Sequence, residues 1–346
     1  MARVKKPFLC LKVKSKSAGT TFFIASLLLV LFACRSSLKG DNANLATQDL
    51  SFIPTPEDNP LNDKKIALGR KLFFDTRLSK DGSISCASCH DPKKAFCDNL
   101  TTSRGISGQK TERNSPSILN AAFLPTVMFD AHLKTLELQV IVPIQEPTEM
   151  GHNMKELIPI LRQLPEYQKA AKEIYNRNFD AYVLTRSISA FERSLLSLNS
   201  RYDQYIRGRK SALTKTEKRG MELFMNVLHC TTCHAPPNFT NYQAENNGLY
   251  MEYGVDKGRF RIHLDSNDIG KFKVPSLRNI TLTFPYMHDG SLKSLDDVIN
   301  HYASGGKQNK NKHPKIQPFN LSKEDKKSLI SFLGSLTDTS YLKQFR

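Results

Sequence analysis

Two copies of the pentapeptide C-x-x-C-H, at residues 86–90 and 230–234, constrain this chain more than any other feature. Two thiols three positions apart on a helical turn can both form thioethers with the vinyl groups of one haem, and the histidine that follows then reaches the iron. The sequence therefore predicts two covalently bound c-type haems. The predicted haem-binding residues are Cys86, Cys89, His90, Cys230, Cys233 and His234.

A four-cysteine zinc site, thioredoxin-like redox pairs and structural disulfides are the alternative uses of these cysteines. Each accounts for the cysteines but leaves both histidines unexplained. Zinc ribbons place their two cysteine pairs roughly 15 to 20 residues apart, whereas this chain has one pair in each half. Two haems are therefore the better interpretation. Cys97 has no evident partner and is predicted to be a buried small residue.

The first 33 residues have the three parts of a secretory signal peptide. A basic stretch precedes an apolar run from Phe22 to Phe32, and Ala33 then precedes Cys34. The run is shorter than the about 20 residues that span a bilayer. Residues 31–34 resemble a bacterial lipobox, and a plain secretory signal is the alternative. We expect a protein of the bacterial periplasm, held to a membrane of the cell envelope only by a lipid on Cys34.

Length and an internal repeat indicate two domains, because 346 residues exceed one small module. The sequences GRKLF at 69–73 and GMELF at 220–224 each occur shortly before a haem motif, and no run of alternating strands is present. We predict a mainly α protein with two cytochrome c-like helical domains, each with one haem. The predicted divisions are a lipoprotein signal peptide (1–33), a polar tether (34–60), an N-terminal haem domain (61–207) and a C-terminal haem domain (208–346).

Two capping boxes predict helix starts in the second half of the chain. Thr214 is followed three positions later by Glu217, and Ser322 is followed in the same way by Asp325. The net charge of +17 falls to +11 when the six basic residues of the signal peptide are removed. Because the lysines are dispersed and the chain is exported, a solvated surface is favoured over nucleic-acid binding. An acidic patch on an electron-transfer partner is the other use of this charge.

Five further segments, in order along the chain, carry a family resemblance. They are RNSPS at 113–117, FD at 129–130 leading to LELQ at 136–139, PTEMG at 147–151, VPSLRN at 274–279 and PYMHDG at 285–290. Together they resemble the bacterial di-haem cytochrome c peroxidase and MauG family from Leu61 to Leu336. The resemblance implies an active-site haem in the N-terminal domain, an electron-transfer haem in the C-terminal domain and a calcium ion between them.

The resemblance also assigns roles to individual residues. It implies that Glu149 is the acid-base residue of the peroxide site and that Gln139 is its distal glutamine. Calcium is expected on the side-chain oxygen of Asn114 and on the backbone carbonyls of Thr283 and Pro285, because oxygen ligands suit this cation. The alternatives are a surface carboxylate for Glu149 and ordinary turn residues for the calcium set.

The loop after the first haem motif departs from the family pattern. Many members have a histidine there that caps the resting active-site iron until the other haem is reduced. In this chain the loop is residues 103–108, and Ile106, which cannot ligate iron, takes that position. Unless His132 or His152 moves in, we expect a five-coordinate iron at rest, as in MauG-like members.

The sixth ligand of the C-terminal haem and the residue between the haems also differ. Family members use methionine or, in MauG-like proteins, tyrosine, and Tyr302 occupies this position with Met287 and His301 as rivals. A phenolate ligand lowers the potential relative to Met/His ligation; the alternative for Tyr302 is a core aromatic. The chain has no tryptophan, and Phe129, which is harder to oxidise, takes the place of the inter-haem indole, so hole hopping is not expected.

Reduction of hydrogen peroxide to water is the leading functional hypothesis, with electrons from a small cytochrome, a copper protein or another donor. A MauG-like enzyme that oxidises a protein partner is the alternative; Ile106 and Tyr302 favour it, and the missing tryptophan opposes it. A non-catalytic di-haem electron carrier is the third hypothesis, and it leaves Gln139 and Glu149 without a purpose. The sequence is compatible with a homodimer.

Overall fold

Helices dominate residues 52–345, the part of the chain that the computed structural model describes. The predicted signal peptide and Cys34 lie outside it. The helices are α1 (Asp63–Phe73), α2 (Cys86–Cys89), α3 (Leu136–Gln139), α4 (Ile141–Gln145), α5 (Met154–Arg162), α6 (Pro165–Tyr175), α7 (Ala181–Arg193), α8 (Arg201–Ile206), α9 (Lys215–Glu222), α10 (Phe260–His263), α11 (Leu295–Ala303) and α12 (Lys323–Ser335). The prediction of a mainly α protein is confirmed. None of the described helices is long and apolar enough to cross a membrane.

A small antiparallel sheet is the one paired element among the described strands. Its two strands are β1 (Ala244–Glu245) and β2 (Phe272–Lys273), with Ala244 opposite Lys273 and Glu245 opposite Phe272. Each strand has only two residues, so the sheet fixes the position of the intervening loop and adds little to the core.

Two glycines explain the internal repeat. A Cβ atom on Gly69 of α1 would lie 1.8 Å from the backbone carbonyl oxygen of Ser187 in α7, and one on Gly220 of α9 would lie 1.9 Å from that of Ser328 in α12. No other residue type allows the two backbones to approach so closely. Each half of the chain is therefore built around the same helix crossing.

The aromatic residues beside these crossings form the two hydrophobic cores. In the first half, Phe73 of α1 lies 5.1 Å from Phe191 of α7, measured between ring centroids. In the second half, Phe224 lies 5.3 Å from Phe332 of α12. One residue of the second half, Tyr341 near the C-terminus, packs in the first core. The division at residues 207–208 stays a prediction.

The folded part begins before the predicted start at Leu61. Ile53 is 3% exposed and Asn59 is fully buried. The Asn59 amide donates to Glu137 Oε1 at 2.7 Å, and its oxygen accepts from Lys65 Nζ at 3.2 Å. The C-terminal end of the predicted tether is thus part of the core, because a buried carboxylate and a buried ammonium group both need a polar partner.

One of the two predicted capping boxes is complete. Thr214 and Glu217 exchange side-chain and backbone hydrogen bonds at the start of α9, as predicted. At the start of α12, Ser322 accepts from the backbone N–H of Asp325, but the reciprocal bond is not made. The Asp325 carboxylate instead accepts two bonds from Arg219, at 2.8 and 3.1 Å. A charge-assisted pair is stronger than a neutral cap, so the tertiary contact takes the carboxylate.

We predict that Gly69→Ala and Gly220→Ala each destabilise the protein by about 1–3 kcal/mol or more, because the added methyl group meets a backbone carbonyl. Urea unfolding of the haem-loaded protein measures this change. Gly254→Ala is the matched control, since no heavy atom lies within 4 Å of its added Cβ. Equal midpoints for all three variants would show that the crossings tolerate a side chain.

Candidate active site

The two motif histidines are held in the same way. His90 Nδ1 lies 2.9 Å from the carbonyl oxygen of Phe96, and His234 Nδ1 lies 3.0 Å from that of Phe239. Each Nδ1 donates to its carbonyl, so Nε2 is left free for iron. Burial lowers the pKa of both rings, which favours the neutral form that a metal ligand needs. These residues fit the proximal role predicted for them.

The cysteine pairs lie where each histidine needs them. Cys86 and Cys89 occupy the single turn of α2, directly before His90. Burial raises the pKa of Cys89 to about 11, and that of Cys230 to about 12. Such thiols are neither reactive nor suited to bind zinc as thiolates. In the described part of the chain, no three His, Cys, Asp or Glu side chains form a cluster for a metal ion. The arrangement fits thioether attachment of haem better than the three alternatives.

Glu149 has the electrostatics of a group that exchanges protons near neutrality. Burial raises its pKa to about 7, and the negative charge of Glu146 contributes. Burial raises the pKa of Cys86 and of Cys89, and the negative charge of Glu149 raises both pKa values further. The Glu149 carboxyl therefore lies near the first haem motif. A pKa near the working pH is the optimum for general acid-base chemistry.

The loop that carries Ile106 is fixed against Glu149. The Ile106 N–H donates to the Glu149 carbonyl at 2.8 Å. A Cβ on Gly105 would lie 2.0 Å from the carbonyl oxygen of Thr148, and one on Gly151 would lie 2.5 Å from Ile106 Cδ1. Two glycines thus allow the loop to pack tightly on the segment that contains Glu149. Ile106 belongs to this loop, at the position where the family resemblance predicts a capping ligand for the resting iron.

The two alternative histidines lie nearby in sequence. His152 is 6% exposed and follows Gly151, while His132 is half-buried. The Nδ1 atoms of both rings are buried, and neither has a hydrogen-bond partner among residues 52–345. Nothing in these contacts directs either ring to the iron, so their role as caps stays an alternative.

Gln139 is the last residue of α3, and a buried ion pair positions this short helix. Glu137 of α3 accepts two hydrogen bonds from Arg193 at the end of α7, at 2.6 and 2.8 Å, and a third from Asn59. Burial alone would raise the pKa of Glu137, but these bonds outweigh it and hold the pKa below its usual value. The position of Gln139 is therefore set by a charge pair two residues away.

The structure brings all three candidate sixth ligands of the C-terminal haem together around one asparagine. Asn247 Nδ2 lies 3.2 Å from Met287 Sδ, and the Asn247 carbonyl accepts from His301 Nε2 at 3.1 Å. Burial raises the pKa of Tyr302, and a hydrogen bond from the Asn247 side chain opposes that rise. Cys233 and Cys230 also contribute to the raised pKa of Tyr302, so this ring lies by the second haem motif.

Phe129 belongs to an aromatic and cationic stack. The Arg113 guanidinium lies 5.8 Å from the Phe129 ring centroid and 5.3 Å from that of Phe272. The Phe272 ring stacks on His288 with a centroid separation of 3.7 Å. Arg113 is also paired with Asp130 at 2.9 Å and with Asp256 at 2.6 Å, so its charge beside Phe129 is compensated. The absence of hole hopping through Phe129 stays a prediction.

Asn99 holds the carbonyls that flank those of the predicted calcium site. Its Nδ2 donates to the carbonyls of Leu282 and Phe284, at 2.9 and 2.8 Å. The intervening carbonyl of Thr283, and that of Pro285, accept no hydrogen bond from the described residues. Asn114 Nδ2 donates to Leu100 at 2.7 Å, which leaves its Oδ1 for another partner. These three oxygens accept no hydrogen bond from the described residues, and calcium binding by them stays a prediction.

Sequence reasoning missed several residues of this region. Asn247 has no motif of its own and lies far along the chain from Met287 and Tyr302. Arg113 stands in one of the resembling segments, but its partner Asp256, at 2.6 Å, carries no signal. Cys97 is 2% exposed, which confirms the prediction of a buried small residue.

Comparisons with known proteins agree with this geometry. Residues 63–211 match the sequence profile of the di-haem cytochrome c peroxidase family. The chain is similar to the methylamine utilization protein MauG of Methylorubrum extorquens, with 34% identity over 82% of this chain and 81% of the relative. It is 32% identical to the cytochrome c551 peroxidase of Nitrosomonas europaea, over 92% and 91% of the two chains. A solved MauG-like protein associated with microbial copper homeostasis has 34% identity and a TM-score of 0.80, with 86% and 97% covered.

We predict that Glu137→Gln destabilises the protein by about 3–5 kcal/mol, because it leaves the Arg193 guanidinium buried without a counter-charge. Arg193→Met should cost a similar amount. The double variant Glu137→Gln/Arg193→Met should lose much less than the sum of the two. Urea unfolding of the four proteins closes the cycle, and additive losses would mean that the pair does not act as a unit.

Proposed function

This chain belongs to the di-haem cytochrome c peroxidase family, and on that premise we propose that it reduces hydrogen peroxide to water. Membership makes it an oxidoreductase with two c-type haems. The observation that carries the proposal is Glu149, a half-buried carboxyl whose pKa is raised to about 7 beside the first haem motif. A non-catalytic electron carrier would have no use for such a group.

The residues have distinct tasks in the proposed reaction. Hydrogen peroxide takes up two electrons and two protons and gives two water molecules. Cys86, Cys89 and His90 would hold a haem, and that haem would supply the redox-active iron for the reaction. The Glu149 carboxylate takes the proton from the inner peroxide oxygen and gives it to the outer one, which leaves as water. The Gln139 amide, positioned by the Glu137–Arg193 pair, orients peroxide by hydrogen bonding.

We further propose that the peroxidatic site is open at rest. Ile106 has no donor atom, and its loop is packed against Glu149 and Gly151, so the loop offers no ligand to iron. Peroxide would then react without prior reduction of the other haem. At that other haem, held by Cys230, Cys233 and His234, we propose Tyr302 as the sixth ligand, with Met287 as its rival.

The proposal extends to the surroundings of the enzyme. Electrons arrive from a small redox protein, and the basic surface suits an acidic patch on that donor. A calcium ion would lie on Asn114, Thr283 and Pro285. Export by the signal peptide and lipidation of Cys34 would place the enzyme in the periplasm at a membrane. A boundary between the two haem domains at residues 207–208 and a homodimer belong to the same proposal.

Oxidation of a protein partner is the second candidate function. The open site at Ile106 and Tyr302 favour it, and so does 34% identity to a protein named MauG. The chain lacks tryptophan, and Arg113 lies against Phe129, the residue at the inter-haem position. Because the missing tryptophan opposes long-range hole transfer, peroxide reduction is the better-supported function.

We predict that Glu149→Gln lowers kcat/KM for peroxide by about 10²- to 10⁴-fold, the usual contribution of a general acid-base group. Stopped-flow mixing with peroxide measures the rate, and the spectra of both haems should be retained. In the wild type, kcat/KM should rise with pH up to about 7 and then level off, because the carboxylate is the required form. Glu146→Gln is the control and should retain most of the rate; undiminished turnover in Glu149→Gln would exclude the proposed role.

We predict that Ile106→His converts the peroxidatic haem from high-spin to low-spin in the oxidised protein, because an imidazole then lies at the capping position. Electron paramagnetic resonance before and after one equivalent of peroxide gives the readout. The wild type should react at once, and the variant only after addition of one electron. Two low-spin signals in the wild type, with no reaction until reduction, would show that another ligand already caps the iron.

A further inference from the structure

The loop of residues 246–249, here called the asparagine loop, lies against the segment that contains Tyr302. Lys307 N–H donates to the Gly248 carbonyl at 2.6 Å, and a Cβ on Gly306 would lie 2.9 Å from the carbonyl oxygen of Asn247. His301 Nε2 meets that same carbonyl at 3.1 Å. The two segments are therefore joined through backbone atoms, which no side-chain substitution at Asn247 removes.

Hydrogen bonds made by Asn246 hold the backbone of the asparagine loop in place. It is 1% exposed, and its Oδ1 accepts from the backbone N–H of Gly248 at 2.9 Å. Its Nδ2 donates to the carbonyl of Ile269 at 3.1 Å, and its own carbonyl accepts from the N–H of His313 at 2.9 Å. The backbone of the loop is thus fixed independently of what the next side chain contacts.

The orientation of the Asn247 amide follows from this backbone. Its Oδ1 accepts from the N–H of Leu249 at 3.1 Å, so its NH₂ group points the other way. There it lies 3.2 Å from Met287 Sδ, near enough to Tyr302 to oppose the rise in the pKa of that residue. One amide, with two N–H groups, therefore lies near both side chains that compete for the sixth position of the C-terminal haem.

Met287 needs such a restraint. Methionine has three rotatable bonds in its side chain, and its thioether is a soft iron ligand. The backbone of Met287 has φ +76°, in a turn closed by the pairing of Tyr286 with Leu292. The turn fixes the backbone but not the side-chain rotamer. The amide of Asn247 contacts the sulfur at 3.2 Å.

We propose that Asn247 is a positioning residue that gives the sixth coordination position of the C-terminal haem to Tyr302 and withholds it from Met287. The inference rests on the proposed function, in which Tyr302 ligates this iron. A phenolate bound to iron carries negative charge, and a hydrogen bond to it is stronger than one to a neutral group. Met287 has no such charge to offer. The same amide therefore stabilises the tyrosine-bound arrangement and retains the competing sulfur.

Two substitutions separate the amide donor from the loop. Asn247→Ala removes both side-chain contacts. Asn247→Asp keeps an oxygen that accepts from the Leu249 N–H but offers no N–H to Met287 or Tyr302. Loss of a hydrogen bond to a charged group changes an equilibrium by about tenfold or more, so we expect both variants to shift the C-terminal haem toward methionine ligation.

Spectroscopy of the haem-loaded, oxidised protein tests the proposal without reference to turnover. In both variants the tyrosinate-to-iron charge-transfer band should weaken and the band of methionine-ligated ferric haem should appear. The midpoint potential of this haem should rise, because Met/His ligation raises it. The methionine band should be absent from Asn247→Ala/Met287→Leu. Asn267→Ala, at an exposed asparagine, is the matched control and should resemble the wild type.

The outcomes distinguish this inference from the proposal that precedes it. If Tyr302→Phe abolishes the tyrosinate band of the wild type but both Asn247 variants keep that band and the wild-type potential, Tyr302 is the ligand and the role of Asn247 is overturned. If Tyr302→Phe leaves the wild-type spectrum unchanged, Tyr302 is not the ligand. The proposed ligation by Tyr302 and the proposed role of Asn247 are then overturned together.

Discussion

Both halves of this protein depend on a helix crossing in which a glycine lets a backbone carbonyl of the second helix approach the first helix closely. At Gly69 and at Gly220 the crossing brings the flanking phenylalanines together. The ring centroids of Phe73 and Phe96 are then 6.2 Å apart, and those of Phe224 and Phe239 are 6.0 Å apart.

The carbonyls of Phe96 and Phe239 are the ones that accept from His90 and His234. Helix packing, core and orientation of the iron ligand thus form one chain of contacts, which occurs twice. A side chain at either glycine would displace the phenylalanines, and through them the histidine. The stability of each half and the chemistry of its haem are therefore set by the same contact.

The two halves share this frame and differ in the loops that face it. Beside the first haem motif lie Glu149, whose pKa is raised to about 7, and Ile106, a residue without donor atoms. Beside the second lie Tyr302 and Asn247, a candidate ligand and the amide that faces it. Repetition of the frame gives both motif histidines the same hydrogen-bonded orientation. In the proposed reaction, the difference between the peroxidatic and the electron-transfer site would lie in these loops.

The sequence by itself determined the haem motifs, the mainly α fold, the repeat at Gly69 and Gly220 and, through ordered segments, the family. These features are local, because each depends on spacing within a few residues. Only the tertiary structure decided the elevated pKa of Glu149, which requires burial, and the loss of the Asp325 cap to Arg219.

It alone also revealed Asn247, whose contacts with Met287 and Tyr302 join positions at least 40 residues apart. No periodicity or short motif records such a contact, because its energy depends on how the intervening chain folds. The sequence determined which chemistry this protein holds, and the fold decided how each group is tuned.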